Sequence, residues 1–320
     1  MIRVLIVGPF GQDARFICKR LSVNKQYKLF GISHKSLPSI SKIDSAGLGN
    51  VTLLSGDLSE SDTCFRILND VKPDVIFHLA AIHGSSRNMQ IVEANSKMEM
   101  YKCHVGITQN LISWIQKNQT SRLVYAGSSQ VFLGLPEGSQ VNEITPAFPT
   151  NEYGRTKLAA WELIKNSRKN DGLKLSFAIL FNHTSEFSKP EFLFPEIANS
   201  LAKVLRRELD TIILRRPNAQ VDICSADDIS RGLVMISEQS LGQDYVLGSG
   251  KSTSVGSIVK NVLESFDLTR NVEIQTSESD EIYKCLVSNP EFALKSLGWK
   301  VIETPEVILR RMAYLQMGLS

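Results

Sequence analysis

Hydrophobic positions follow two alternating rhythms along this chain. Dense runs rich in β-branched and aromatic residues recur at 2–7, 27–33, 51–54, 74–81, 123–126 and 173–181. Such runs suit strands covered on both faces. Between them lie stretches of helical spacing. Phe16, Ile17 and Leu21 mark the first; Met98, Tyr101, Val105, Thr108, Ile112 and Ile115 step 3-4-3-4-3 along a longer one ending near Asn118. Another helix is predicted from Tyr153 to about Arg168, with Gly172 as its stop. The order predicts an α/β fold with a doubly wound parallel sheet.

The second half adds a helix closing over 201–208, a strand at 211–214, a helix starting at Ala226, strands near 245–250 and 272–275, and terminal helices at 290–297 and 305–317. No linker interrupts it. The expected division is a dinucleotide-binding domain over 1–181, with about 226–248 returning to it. A smaller C-terminal lobe is built from 182–225 and 249–320.

Composition narrows the class of function. The 320 residues carry 36 Lys and Arg against 33 Asp and Glu, a net charge of +3, with no basic block. This gives no footprint for nucleic acid. No apolar run reaches the roughly 20 residues a membrane helix needs. The chain enters its first strand pattern at Ile2 without a secretory leader pattern, which predicts a cytoplasmic protein. Cys18, Cys64, Cys103, Cys224 and Cys285 are scattered without a CxxC pair, and the five histidines form no HExxH. Reduced buried thiols and no metal site are expected.

The candidate chemistry gathers at strand ends. Gly8, Phe10, Gly11, Gln12, Asp13 and Ala14 join the first strand to the first helix. A tight turn there lets backbone N–H groups reach a pyrophosphate at the helix N-terminus. The second strand ends in Ser33, His34, Lys35 and Ser36, without the acid that would bind a ribose 2′-hydroxyl. Hydroxyls and cations suit a 2′-phosphate, so NADP is favoured over NAD. Asp57, beside Leu58, suits either an adenine amino group or a helix cap. Leu79, Ala80, Ala81 and His83 follow the fourth strand, the two alanines leaving room for a cofactor; His78, within that strand, reads as a core residue.

The stretch 123–157 carries the reactive groups. Ser128 and Ser129 follow a buried strand, and Tyr153 and Lys157 stand i and i+4 on one helix face. An ammonium beside a phenol is expected to lower the phenol's pKa. Tyr153 then exchanges a proton with a sugar hydroxyl while hydride passes to or from nicotinamide, with Ser128 holding the same oxygen.

These pieces resemble the extended short-chain dehydrogenase/reductase family that modifies nucleotide-linked sugars, and within it the GDP-mannose 4,6-dehydratases and GDP-4-keto-6-deoxymannose reductases. The resemblance rests on Gly8-Pro-Phe-Gly-Gln-Asp13, Ile76-Phe-His-Leu-Ala-Ala81, Tyr125-Ala-Gly-Ser-Ser-Gln-Val-Phe132, Tyr153-Gly-Arg-Thr-Lys157, Leu180-Phe-Asn-His183 and Lys295-Ser-Leu-Gly-Trp-Lys300. It implies a Rossmann domain, tightly held NADP, a nucleotide-diphosphate sugar bound by the smaller C-terminal lobe, and a homodimer or tetramer. It also implies catalytic roles for Ser128, Tyr153 and Lys157, cofactor contact at His183, and substrate contact at Asn182.

The departures are specific. The dehydratases place a glutamate two residues after the active-site Ser/Thr, as acid and base for elimination; here it is Gln130. An amide cannot shuttle a proton near neutral pH. The aromatic that follows is Phe132, usually tyrosine, and Val221-Asp-Ile223 stands where a diphosphate contact is expected. Arg215 and Arg216 are candidates for the missing charge, and Glu137 or Glu143 for the missing acid. The resemblance implies hydride transfer at hexose C4, as a dehydratase, or as a reductase or epimerase if Gln130 decides the outcome. A non-enzymatic NADP-binding sensor is the alternative of another class.

Overall fold

The computed structural model describes residues 1–34, 47–82, 94–268, 272–276 and 284–319. Lys35, Ser36 and His83 lie outside them. Seven parallel strands form the main sheet: β1 (Ile2–Val7), β2 (Tyr27–Ser33), β3 (Val51–Ser55), β4 (Val75–His78), β5 (Arg122–Ala126), β6 (Leu175–Leu180) and β7 (Asp244–Leu247). Their spatial order is β3-β2-β1-β4-β5-β6-β7. The order reverses between β1 and β4, which pair from Val4↔Val75 to Val7↔His78. In such sheets a crevice opens beyond the strand ends at this reversal.

Ten helices are described among these residues: α1 (Gln12–Ser22), α2 (Ser61–Val71), α3 (Ala94–Tyr101), α4 (Ile107–Lys117), α5 (Glu152–Asp171), α6 (Leu193–Leu205), α7 (Ala226–Ser237), α8 (Val255–Glu264), α9 (Glu291–Leu297) and α10 (Pro305–Gln316). The strands sort their side chains by the two-residue period. Leu5 and Val7 join Leu111, Trp114 and Trp161 on one face of the sheet. Val4 and Ile6 join Ile17, Ile229, Leu233 and Trp299 on the other. A third core joins α6, α8 and α10 through Phe194, Leu201, Ile258, Val259, Leu309 and Met312.

The long helical stripe is corrected at its start. Met98 and Tyr101 are 59% and 51% exposed, whereas Met100 is buried. A π-helical turn, Lys102–Gly106, separates α3 from α4. Its i→i+5 bonding inserts an extra residue and rotates α3 relative to the predicted face. Beyond it, Val105, Thr108, Ile112 and Ile115 are buried as the spacing predicts. No helix among the described residues is long and apolar enough to cross a membrane.

Candidate active site

The glycine loop fits tightly against β4. Gly8 has φ +87, and a Cβ there would stand 2.9 Å from Ala80 Cα. Gly11 caps α1 in extended conformation without a capping side chain, so the first-turn amides remain available to an anion. Phe10 and Leu79 pack on the α1 face of the sheet, and Leu58 is buried on the opposite face. Leu58 fills core space, whereas Phe10 and Leu79 are half-buried. Ser33 ends β2, and His34 after it is exposed. Asp57 accepts from Ser59 N–H at 2.8 Å, closing a turn ahead of α2.

A polar cluster links this loop to the segment after β6. Gln12 Oε1 accepts from Ser185 Oγ at 3.0 Å and Ser188 Oγ at 2.8 Å. His183 Nδ1 donates to Phe181 O at 2.7 Å, and Nε2 lies 3.2 Å from Asp13 Oδ1. Only an imidazolium donates at both nitrogens. Burial opposes that charge, but Asp13 outweighs it, and the His183 pKa is raised. The sequence singled out Gln12, Asp13 and His183 separately; the fold makes them one cluster beside the glycine loop.

At the end of β5, Ser128 accepts from Gln130 N–H at 3.2 Å and hydrogen-bonds Tyr153. The first turn of α5 reaches this point because residue 154 is glycine: a Cβ there would stand 2.6 Å from Gln130 O. Lys157 is 1% exposed and donates to Ala126 O at 2.8 Å. Its ammonium lies over the Tyr125 ring at 4.6 Å and the Tyr153 ring at 5.7 Å. The sequence thus located the cluster of Ser128, Tyr153 and Lys157. It missed the sign of the tyrosine's perturbation. Desolvation raises the Tyr153 pKa, with the Ser128 hydrogen bond opposing. Burial also pulls Lys157 down to about 8. Lys157 is buried and Tyr153 half-buried, and desolvation favours the neutral form of each group.

Gln130 is oriented by its neighbours. Asn151 Oδ1 accepts from Gly154 N–H at 2.7 Å, capping α5. Asn151 Nδ2 therefore faces Gln130 and donates to Oε1 at 2.9 Å. Ser129 lies in the adjoining 3-10 turn, and Phe132 at its end packs edge-on against Trp161.

Several candidates have other employment. Glu143 accepts from Val246 N–H at 2.8 Å, on the outer strand β7, two strands from β5. Glu137 is exposed. Asp222 is fully buried and receives Ser249 N and Oγ at 2.8 and 2.7 Å, and Ser288 N and Oγ at 2.7 and 2.6 Å. That carboxylate joins segments of the chain. Arg215 pairs with Glu196 at 3.4 Å, both half exposed, while Asn182 is exposed beside Ile223. His78 donates to Cys103 O at 3.2 Å and, held down to about 3 by burial and by Lys157, is the core residue expected. No cluster of metal-ligating side chains is found among the described residues.

Known proteins are similar to this chain in sequence and in fold. GDP-mannose 4,6-dehydratase of Sinorhizobium fredii is 27% identical over 83% of this chain and 76% of its own length. The solved dTDP-glucose 4,6-dehydratase of Bacillus anthracis, in complex with NAD, has a TM-score of 0.79 at 16% identity, covering 98% of this chain and 96% of that one. RMD from Pseudomonas aeruginosa, complexed with NADPH, has a TM-score of 0.74 at 18% identity, covering 99% of this chain and all of that one. The family model described as GDP-mannose 4,6 dehydratase matches residues 5–312. That match takes in both the sheet and the third core, and the chain belongs to the GDP-mannose 4,6-dehydratase family, within the extended short-chain dehydrogenases/reductases.

Proposed function

We propose that this chain is an NADP-dependent enzyme that transfers hydride at hexose C4 of a nucleoside-diphosphate sugar, and that it works as a 4-keto reductase or epimerase. Family membership supports an enzyme on nucleotide sugars. The orientation of Gln130 carries the choice of reaction. Its Oε1 is occupied by Asn151, so the amide offers a substrate N–H groups, which bind an oxygen but cannot act as a base.

The residues present fit the cofactor. The Gly8–Gly11 loop and the first-turn amides of α1 would hold its diphosphate, and Ser33 with His34 a 2′-phosphate. Lys157, already pointing at the end of β5, would hold the nicotinamide ribose. When bound, NADP supplies the hydride acceptor or donor. Tyr153, a phenol at neutral pH with its pKa raised by burial, gives its proton to the C4 oxygen while Ser128 holds that oxygen. A buried phenol is a donor first, which suits reduction of a ketone. The lobe of 182–225 and 249–320, with Asn182 and Arg215, would hold the nucleotide and sugar.

Incubation with GDP-4-keto-6-deoxymannose and NADPH tests this: NADPH absorbance should fall, and Tyr153→Phe should stop the fall while leaving NADPH binding intact. GDP-mannose alone should lose no water by mass spectrometry. Dehydration of GDP-mannose by the native chain would overturn the reading of Gln130. Full activity of Tyr153→Phe would overturn the assignment of the acid.

A further inference from the structure

The π turn between α3 and α4 carries a buried histidine that the sequence reading passed over. His104 has no exposed surface. Its Nε2 receives Ile82 N–H at 3.2 Å. A backbone amide can only donate, so Nε2 carries the lone pair and the proton sits on Nδ1. Nδ1 donates to Thr156 Oγ1 at 2.8 Å. Thr156 in turn donates to the carbonyl of Tyr153 at 3.0 Å. Every donor in this chain meets an acceptor, and the imidazole is neutral. The His104 ring also stands edge-on to the Tyr153 ring, centroids 5.3 Å apart at 89°.

The contrast with His78 shows what is distinctive. Both rings are buried, but His78 bonds one carbonyl, and its Nδ1 has no partner. His104 uses both nitrogens to join segments 22 and 52 residues away. One is the loop past Ala80, which lies against Gly8. The other is the turn of α5 that bears Tyr153 and Lys157. π turns recur at functional positions because the extra residue re-aims a side chain.

We propose that His104, as a neutral Nδ1–H imidazole, is a positioning residue that ties the cofactor-side loop after β4 to the catalytic helix and sets the plane of the Tyr153 ring. The role assigned to Tyr153 here rests on the function proposed above. Two bonds with different partners make two separable effects. His104→Asn keeps the Nδ1-side donor to Thr156 and loses the acceptor for Ile82. His104→Gln keeps reach to Ile82 and loses the bond to Thr156, as does Thr156→Val.

The test uses the full chain. NADPH binding is read by fluorescence titration, and turnover with GDP-4-keto-6-deoxymannose as the probe. His104→Asn should weaken NADPH binding about tenfold, the worth of one buried hydrogen bond. His104→Gln and Thr156→Val should hold NADPH within about twofold and lower kcat about tenfold at unchanged KM. Nitrogen-15 NMR of the histidine-labelled native chain, with His104 assigned by its variants, should show the neutral Nδ1–H tautomer at pH 7. An Nε2–H tautomer or an imidazolium overturns the proposal. So does equal loss of thermal stability in all three variants with native NADPH affinity and kcat, which would mark a packing residue. If the native chain binds no NADPH, the function proposed above fails, while the tautomer still decides the hydrogen-bond assignment.

Discussion

Lys157→Met should make the protein more stable at pH 7 and less stable above about pH 10.5. Lys157 is 1% exposed, and burial pulls its pKa from 10.5 to about 8. The folded chain thus holds this proton less tightly than the unfolded chain. The linkage sign follows: the penalty is fully present below pH 8 and disappears as pH rises toward 10.5. Its size is about 3 kcal/mol, from about 1.4 kcal/mol per pKa unit. Methionine fills nearly the same volume and removes that penalty. It also removes the donor to Ala126 O at 2.8 Å, which costs about 1–2 kcal/mol at any pH. The balance is a gain of about 1–2 kcal/mol at pH 7. That becomes a loss of the same size once the native lysine is neutral. Urea unfolding of both proteins at pH 7 and pH 10.5 measures the difference directly, since other titrating groups are common to both. A variant that is less stable at both pH values by the same amount would refute the reasoning, because the lysine would then be folded without a charge penalty. Hydride transfer should be lost in this variant at either pH, a trade of function for stability.

Asp222→Asn should destabilise by about 2–4 kcal/mol in urea, because one carboxylate oxygen facing two donors becomes an NH2 group; NADPH affinity measured on the folded fraction should be unchanged, and its loss would show a ligand contact instead. The His183–Asp13 pair should add stability that is fully present below pH 6.5, where even the unfolded histidine is charged, and lost as pH rises through the raised folded pKa. Asp13→Asn should flatten that slope in thermal unfolding between pH 6 and pH 8.5, and an unchanged slope would assign it to another group.

What the sequence revealed, and what it hid, divides by the range of the interactions. Gly8 and Gly11 were legible because a strand, a tight turn and a helix follow one another locally. Tyr153 and Lys157 were legible because four residues on a helix fix a shared face. Ser128 needed only the end of a buried strand. His104 was hidden for two reasons. Its partners are 22 and 52 residues away, and the π turn breaks the spacing by which a helical face is read. The same turn put Met98 and Tyr101 on the wrong side. Asp222 was legible only as part of a departure from an expected diphosphate contact, and its own task was hidden because its four donors come from Ser249 and Ser288, far along the chain. Gln130 was visible as a substitution, yet its orientation depends on Asn151, whose own orientation depends on the cap of α5.

The error over Tyr153 is the most instructive because the neighbour was right and the sign was wrong. An i, i+4 lysine predicts a lowered phenol pKa only if the lysine is charged and the phenol is wetted. Here one burial acts on both groups. It raises the phenol's pKa and lowers the ammonium's to about 8, so each moves toward its neutral form. A pair of neutral groups is cheaper here than a phenolate–ammonium pair, whose mutual attraction must first offset two desolvations. The resting site therefore holds a proton on Tyr153, next to the strand end where Ser128 would hold a carbonyl oxygen. Adding a hydride to that carbon creates an alkoxide beside a phenol, and proton transfer then moves the new charge onto Tyr153 as a phenolate, which the Ser128 hydrogen bond favours. The reverse step starts from that phenolate and crosses the same transition state, so Tyr153 serves both directions alike. It is the amide at position 130 that bears on the reaction proposed above, because its Oε1 is held by Asn151 and it cannot act as a base.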